Sequence, residues 1–132
     1  MDFTIEKETI LSALTTLSKI SPTRTTLPIL STVLIKTTGP DSALFRSTDL
    51  EVEMEIKVRA KVLEEGETCA PIYKLLEITN TITENAISLN VNETQRMRIK
   101  TSTGKYLLMC NKTEDFPDQR EFNDEPKKHS AA

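Results

Sequence analysis

Residues 50–58 read LEVEMEIKV, with apolar and charged side chains in strict alternation. The apolar set is Leu50, Val52, Met54, Ile56 and Val58, and the charged set is Glu51, Glu53, Glu55 and Lys57. Because successive side chains of a strand point to opposite faces, this alternation predicts a strand with its apolar face in a core. Antiparallel sheets commonly keep their other face in water. The stretch therefore predicts an antiparallel sheet with one solvated face.

The chain before this strand predicts one helix among several strands. The predicted elements are a strand at 2–6, a helix from 7 to 21, and strands at 29–38, 43–46 and 50–58. Ile10, Leu14 and Leu17 recur at helical spacing, which is typical of an amphipathic helix. The helix should end before Pro22, because a residue that precedes proline disfavours the α region.

After residue 58 the same order of elements returns. The second set is a short strand at 68–70, a helix that starts at Pro71, and strands at 86–91, 96–101 and 105–110. This order predicts an internal duplication of a strand, a helix and three strands, although the halves share little sequence. Such runs favour an α+β fold, with an antiparallel sheet and both helices on one side. We interpret residues 1–117 as one domain and the polar residues 118–132 as a linker, a tail or a vector-derived remnant.

The composition indicates a globular protein with an acidic body. Apolar residues make up 37% of the 132 residues and charged residues 28%, which argues against global disorder. No apolar run approaches the ~20 residues that span a bilayer, and the first residues do not follow the pattern of a secretory signal. We therefore expect Cys69 and Cys110 to stay reduced. Since the net charge is −3, any contact with nucleic acid requires a local basic surface.

Residues suited to catalysis are few. The only histidine, His129, lies in the polar C-terminal segment, so a buried Ser-His or Cys-His pair is not expected. The two cysteines lack the spacing of a zinc site, and we expect no metal and no cofactor. Glu51, Glu53 and Glu55 share one face of their predicted strand, where a row of charges is usually solvated. A small hydrolase that uses this row is a third hypothesis, and the missing histidine counts against it.

Several cations cluster on the predicted helices. Lys7, Lys19 and Arg24 lie on the first helix or just after it, and Lys74 lies on the second. If both helices share one side of the sheet, their polar faces point the same way. A mostly Ser/Thr face with a few cations suits sequence-independent contact with phosphates rather than recognition of base edges.

The last predicted strand is apolar on both faces, at Tyr106, Leu107, Leu108 and Met109. It follows a strand whose cations alternate along one face, at 96–100 (RMRIK). A final strand is a candidate sheet edge, and natural proteins usually cover an apolar edge. Either the C-terminal segment covers it or another chain adds a strand to it. The residues alone leave both alternatives open.

Three segments together resemble a known family. Residues 24–30 (RTTLPIL), 47–54 (STDLEVEM) and 115–117 (DFP) resemble the N-terminal domain of the bacterial DNA polymerase III beta subunit, a sliding clamp. The resemblance implies the DNA-clamp fold and a non-catalytic processivity factor for DNA replication in the bacterial cytoplasm, associated with the nucleoid. It also implies a head-to-tail ring of two three-domain subunits, with helices lining a hole that encloses duplex DNA.

The resemblance assigns functions to particular positions. Arg24 matches the family's basic DNA-contacting residue, and Lys7 and Lys19 are further candidates for the lining of the hole. The positions that match the subunit interface are Lys74, Ile78, Lys105, Tyr106 and Leu108. The implied partners are double-stranded DNA, bound without sequence preference, and a second clamp subunit. The replicative polymerase and the clamp loader would bind through domains outside this chain, and no membrane and no cofactor are implied.

The alternative is a free-standing, clamp-like adaptor that binds a protein through its sheet edge and never encircles DNA. The residues after Pro117 do not resemble the start of the family's second domain. Tyr73 and Asn80 also stand on the second helix, where a DNA-facing helix would carry arginine. This second departure reduces the DNA contact expected from the second helix.

Overall fold

The computed structural model describes residues 1–117, which contain two α-helices, nine β-strands and two short 3-10 helices. The strands are β1 (Asp2–Glu6), β2 (Thr32–Thr37), β3 (Ser42–Thr48), β4 (Glu53–Arg59), β5 (Lys61–Glu64), β6 (Glu67–Pro71), β7 (Ala86–Val91), β8 (Arg96–Lys100) and β9 (Lys105–Met109). The α-helices are α1 (Lys7–Ser18) and α2 (Ile72–Thr81), and the 3-10 helices are Pro28–Ser31 and Thr113–Asp115. The predicted linker or tail at 118–132 lies outside the described residues.

The strands form two antiparallel sheets. One has the order β5-β1-β7-β8-β9 and the other the order β4-β3-β2-β6. Each half of the duplication places its first strand in the sheet of the other half, since β1 pairs with β7 and β6 pairs with β2. The predicted α+β fold class and the order of repeated elements are confirmed, but the strands form two sheets where one was expected.

A single core joins the two halves. The helices pack against each other, with α1 also against β1, β3 and β4 and α2 against β2 and β6. The buried stripe of α1 consists of Ile10, Ala13, Leu14 and Leu17, as the helical spacing predicts. Fully burying a large aliphatic side chain stabilises a fold by about 1.5–3 kcal/mol relative to leaving it in water. The buried cluster includes side chains from both sheets and both helices, so neither half has a core of its own.

The LEVEMEIKV stretch departs from its prediction at its first three residues. The strand β4 begins only at Glu53, and Leu50 and Val52 are 47% and 49% exposed. A turn replaces the start of the strand, because Asp49 Oδ1 accepts the N–H groups of Glu51 (2.9 Å) and Val52 (2.7 Å). Leu50 has a φ of 79°, which turns its side chain out of the alternation. The prediction that Leu50 and Val52 face the core is therefore wrong.

The predicted strand at 29–38 is also shorter than expected. Its first residues form the 3-10 helix Pro28–Ser31, in which the Leu30 N–H donates to the Leu27 carbonyl (3.0 Å). Thr32 Oγ1 then donates to the carbonyl of Ile29 (2.6 Å) and ends this turn where β2 begins.

Two further elements differ from the prediction where the spacing of apolar residues is a weak signal. The strand β5 was not predicted, because only Val62 within it is half-buried and no alternation results. Helix α1 ends at Ser18, and the N–H groups of Ile20 and Ser21 both bond the Leu17 carbonyl in a tight terminal turn.

A small second cluster covers the outer face of β2 and β6. Phe116 is buried there against Leu34 and Cys69, with Ile29 at the margin. This contact holds the end of the described chain against the sheet. Within residues 1–117, neither α-helix has the length and apolar run needed to cross a bilayer.

Candidate nucleic-acid and protein interfaces

The loop after α1 is anchored by a tyrosine from α2. The Tyr73 hydroxyl lies 2.9 Å from the carbonyl oxygen of Ser18 and also hydrogen-bonds that of Ser21. Burial raises the pKa of Tyr73, which keeps the hydroxyl protonated and able to donate. Tyr73 therefore connects α2 to the C-terminal end of α1 and is not a freely solvated side chain. The sequence alone indicated only that Tyr73 stands where a DNA-facing helix would carry arginine.

Two serine side chains also hold the backbone of this loop in place. Ser21 Oγ donates to the Leu30 carbonyl (2.5 Å), and Ser31 Oγ donates to the Pro22 carbonyl (3.0 Å). Arg24 stands in the exposed segment between these anchors. The backbone on both sides of Arg24 is therefore fixed while its side chain extends into solvent.

The three predicted DNA-contacting cations do not form one cluster. Lys19 is exposed at the C-terminal cap of α1, at the end from which the Arg24 loop departs. Lys7 is the first residue of the same helix and lies about 18 Å away, since the rise is about 1.5 Å per residue. Lys7 is half-buried, because it precedes Ile10 and Leu14 by three and seven residues and continues the buried stripe. Within residues 1–117 none of the three forms an ion pair.

Four of the five predicted interface residues line one groove between α2 and β9. The groove has a volume of about 590 Å³, and the predicted residues in its wall are Lys74, Ile78, Tyr106 and Leu108. The Tyr106 hydroxyl lies 3.0 Å from Thr81 Oγ1, which ties the strand to the helix. Lys74 is extended into solvent and forms an exposed ion pair with Glu77 (3.8 Å). Lys105 is not part of this wall.

The side chains of β9 alternate between the core side and the outer face of the sheet, and the groove at its edge is lined by residues of both sets. Leu108 is only 8% exposed and belongs to the core, whereas Leu107 and Met109 are 60% and 61% exposed on the opposite face. Lys105 lies directly opposite Lys100 of β8. Over residues 1–117, no strand pairs with the second edge of β9. The groove and this open edge together form a surface suited to a further strand.

The carboxylate row on β4 is not uniformly solvated. Arg46 of β3 donates to Glu55 Oε2 from Nε (3.1 Å) and Nη2 (2.9 Å), and its Nε lies 3.9 Å from Glu53 Oε2. The Glu53 side chain is only 11% exposed, so the prediction of a wet position is wrong for this residue. Desolvation raises the pKa of Glu53, against the opposing effect of Arg46. Two of the three carboxylates, Glu53 and Glu55, therefore form ion pairs with Arg46.

Neither thiol is poised for chemistry. Cys69 and Cys110 are not joined in a disulfide, as expected. Burial raises the pKa of Cys69 to about 12 and that of Cys110 to about 11. In the described part of the chain, no three His, Cys, Asp or Glu side chains are grouped to hold a metal ion.

Comparison with known proteins identifies relatives of this chain. Residues 1–120 match the family model described as the DNA polymerase III beta subunit, N-terminal domain. The beta sliding clamp of Pseudomonas putida is 34% identical over 119 residues, which cover 89% of this chain and 32% of that protein. The beta sliding clamp of Vibrio harveyi is 32% identical over 127 residues, or 95% of this chain and 86% of that sequence.

Solved structures of related proteins have the same fold as this chain. The DNA polymerase III subunit beta from Pseudomonas aeruginosa has a TM-score of 0.83 at 32% identity over 89% of this chain. A DNA polymerase sliding clamp from Caulobacter crescentus has a TM-score of 0.83 at 30% identity over the same share. The chain covers 32% of each of those structures. The chain thus spans about a third of such relatives, and the predicted DNA-clamp fold is confirmed.

Proposed function

Because the chain belongs to the DNA polymerase III beta subunit family, as its N-terminal domain, we propose that it forms one domain of a DNA sliding clamp. The family match over residues 1–120 carries this proposal. In such a clamp the domain contributes to a ring around duplex DNA that tethers the replicative polymerase. Tethering raises the effective concentration of the polymerase at its template and requires no chemistry from the clamp. The named relatives favour this function over a free-standing adaptor.

The helical side of the domain is the proposed DNA-facing surface. Arg24 is its principal contact, because the loop that carries it is held by Tyr73, Ser21 and Ser31 while the guanidinium remains in solvent. Lys19 adds a second cation at the same end of α1. One or two cations among Ser and Thr residues attract phosphates without fixing a register, which permits sliding. Lys7 is a weaker contact, since it is half-buried at the far end of the helix.

The groove between α2 and β9 is the proposed interface with the second clamp subunit. A strand added to the open edge of β9 would gain backbone hydrogen bonds, and Ile78 and Tyr106 would receive its apolar side chains. Lys74 and Lys105 would lie at the rim, where charges influence the rate of association more than the affinity. Leu108 would act through the core that supports the groove.

The remaining partners follow from the same proposal. The polymerase and the clamp loader would bind domains that lie outside this chain. The site of action would be the bacterial cytoplasm, on nucleoid DNA.

The DNA-facing role of Arg24 is tested in a three-domain clamp that carries this sequence as its N-terminal domain. We expect Arg24→Ala to shorten retention on circular duplex DNA and to reduce the dependence of retention on salt, because one phosphate contact is lost. The fold should be unchanged, since the Arg24 side chain is exposed. Retention is measured as the fraction of clamp on DNA through a salt series.

Lys57→Ala is the matched control. It removes an exposed cation from β4, on the face away from the helices, and should leave retention unchanged. Equal retention of the Arg24→Ala and unsubstituted clamps across the salt series would refute the assignment of Arg24.

A further inference from the structure

A cavity lies on the outer face of the four-stranded sheet, next to the last described residue. Its volume is about 540 Å³, and its lining includes Leu34, Lys36 and Leu44 of the sheet and Phe116 and Pro117 of the chain. Phe116 is buried against Leu34, which holds the chain at this cavity. The segment that follows Pro117 therefore departs from the cavity wall.

One row of outer-face side chains begins in this cavity and crosses the sheet from strand to strand. Each member stands directly opposite the next in the strand registers, and directly opposed residues share a face. Its members in order are Glu67 of β6, Lys36 of β2, Leu44 of β3 and Lys57 of β4. The row therefore reads acid, base, apolar, base.

The two lysines of this row are available to a ligand. Neither Lys36 nor Lys57 forms an ion pair with any described residue, and both are exposed. The carboxylate of Glu55 on β4 is bound by Arg46 and not by Lys57. Between the lysines Leu44 is only half-buried. An apolar group flanked by carboxylates would complement these three positions.

The segment after Pro117 carries that pattern. Residues 118–125 read DQREFNDE, and Phe122 is the only large apolar residue of 118–132. Arg120, Glu121, Phe122 and Asp124 follow one another in the order base, acid, apolar, acid. This order is the complement of the row, member by member.

The dimensions of the segment and of the row agree. From Arg120 to Asp124 an extended chain spans about 13 Å, at about 3.3 Å per residue. The row crosses from β6 to β4, which is about 14 Å at about 4.8 Å between neighbouring strands. Thr113 bonds Glu67 on β6, so the chain ends on the β6 side and its continuation meets Glu67 first.

We propose that residues 118–124 bind across the outer face of the four-stranded sheet of their own chain. The pairs are Arg120 with Glu67, Glu121 with Lys36, Phe122 with Leu44, and Asp124 with Lys57. The contact is intramolecular and independent of any role in holding DNA. Because exposed ion pairs are individually weak, it is reversible, and an acidic, apolar segment of another protein would compete for the same row.

The test records NMR spectra of the leucine methyl groups in the 132-residue chain. A Phe122 ring on Leu44 displaces the Leu44 methyl resonances, so Phe122→Ala should shift them. Salt should shift them in the same direction, because it screens the ion pairs. The Leu63 resonances should not respond, since Leu63 is 66% exposed on β5 in the other sheet. Circular dichroism verifies that each variant keeps the fold.

Reversal of one charge pair distinguishes this contact from a general effect of the substitutions. Lys36→Glu and Glu121→Lys should each move the Leu44 resonances toward those of the Phe122→Ala variant. The double variant should restore them, because the pair is formed again with its charges exchanged. Lys61→Glu is the matched control, since it reverses an exposed lysine on β5 and should leave Leu44 unchanged.

Two results would contradict the pairing of residues. One is a set of Leu44 resonances that do not respond to Phe122→Ala. The other is a double variant that lies no closer to the unsubstituted chain than either single variant. Leu44 resonances that move with protein concentration would indicate binding between copies and would overturn the intramolecular proposal.

Discussion

Single residues show most clearly how burial controls reactivity in this domain. With its pKa raised to about 11, Cys110 is about one part in a thousand thiolate at pH 8, and Cys69, at about 12, is less ionised still. We predict that iodoacetamide labels both thiols more than about a hundredfold more slowly than free cysteine at pH 8. Below these pKa values the labelling rate should rise about tenfold per pH unit. Mass spectrometry of timed samples measures the rates.

The control for the thiol prediction is the same chain unfolded in urea. There the pKa returns to about 8.5 and both residues should label as fast as free cysteine. Rapid labelling of Cys110 in the folded chain would contradict the link between its burial and its pKa.

The residues around Asp49 show what the sequence could and could not predict. Alternation correctly identified Met54 and Ile56 as facing the core, because it reports the period of a strand. It failed for Leu50, because the Asp49 carboxylate binds two backbone N–H groups that a strand would otherwise pair. The same hydrogen bonds lower the pKa of Asp49. A local side-chain hydrogen bond of this kind competes with the backbone hydrogen bonds between strands. It cannot be detected from the spacing of apolar residues.

At the scale of secondary-structure elements, Tyr73 joins the two helices at the loop that carries Arg24. We predict that Tyr73→Phe leaves the carbonyls of Ser18 and Ser21 without this donor and costs about 0.5–1.5 kcal/mol. Amide hydrogen exchange of residues 19–28 should accelerate, while that of β7 and β8 should not, because the lost contact is local. Exchange followed by mass spectrometry resolves these segments.

Tyr106→Phe is the matched control for the loop prediction. It removes a hydroxyl that bonds Thr81 at the other end of α2 and should leave exchange of residues 19–28 unchanged. If Tyr73→Phe also leaves those residues unchanged, the loop is held by its serine contacts alone.

The elements of the candidate interface were only partly predictable. Family positions identified the residues of the α2–β9 groove, but the apolar run at 106–109 could not show which side chains face inward. Because every residue of that run is apolar, only the register with β8 separates buried Leu108 from exposed Leu107. The strand β5 was missed for a related reason, since a short exposed strand has no apolar period to detect.

At the scale of the whole molecule, the exchange of β1 and β6 between the halves makes the duplication one folding unit. Each half lacks a strand that the other supplies, and the core is shared. We therefore predict a single cooperative unfolding transition, with one midpoint by far-ultraviolet circular dichroism and by tyrosine fluorescence. Leu14→Ala in the first half and Leu89→Ala in the second should each cost about 2–5 kcal/mol, because both side chains are fully buried.

If unfolding is cooperative, both substitutions must lower the midpoint of the same unfolding transition. Hydrogen exchange should show Leu14→Ala weakening the protection of β7 and Leu89→Ala weakening that of β3, although each substitution lies in the other half. Leu63→Ala, at an exposed position of β5, should change the free energy of unfolding by no more than about 0.5 kcal/mol. Two separate transitions, or a loss of protection confined to the substituted half, would mean that the halves fold independently despite their exchanged strands.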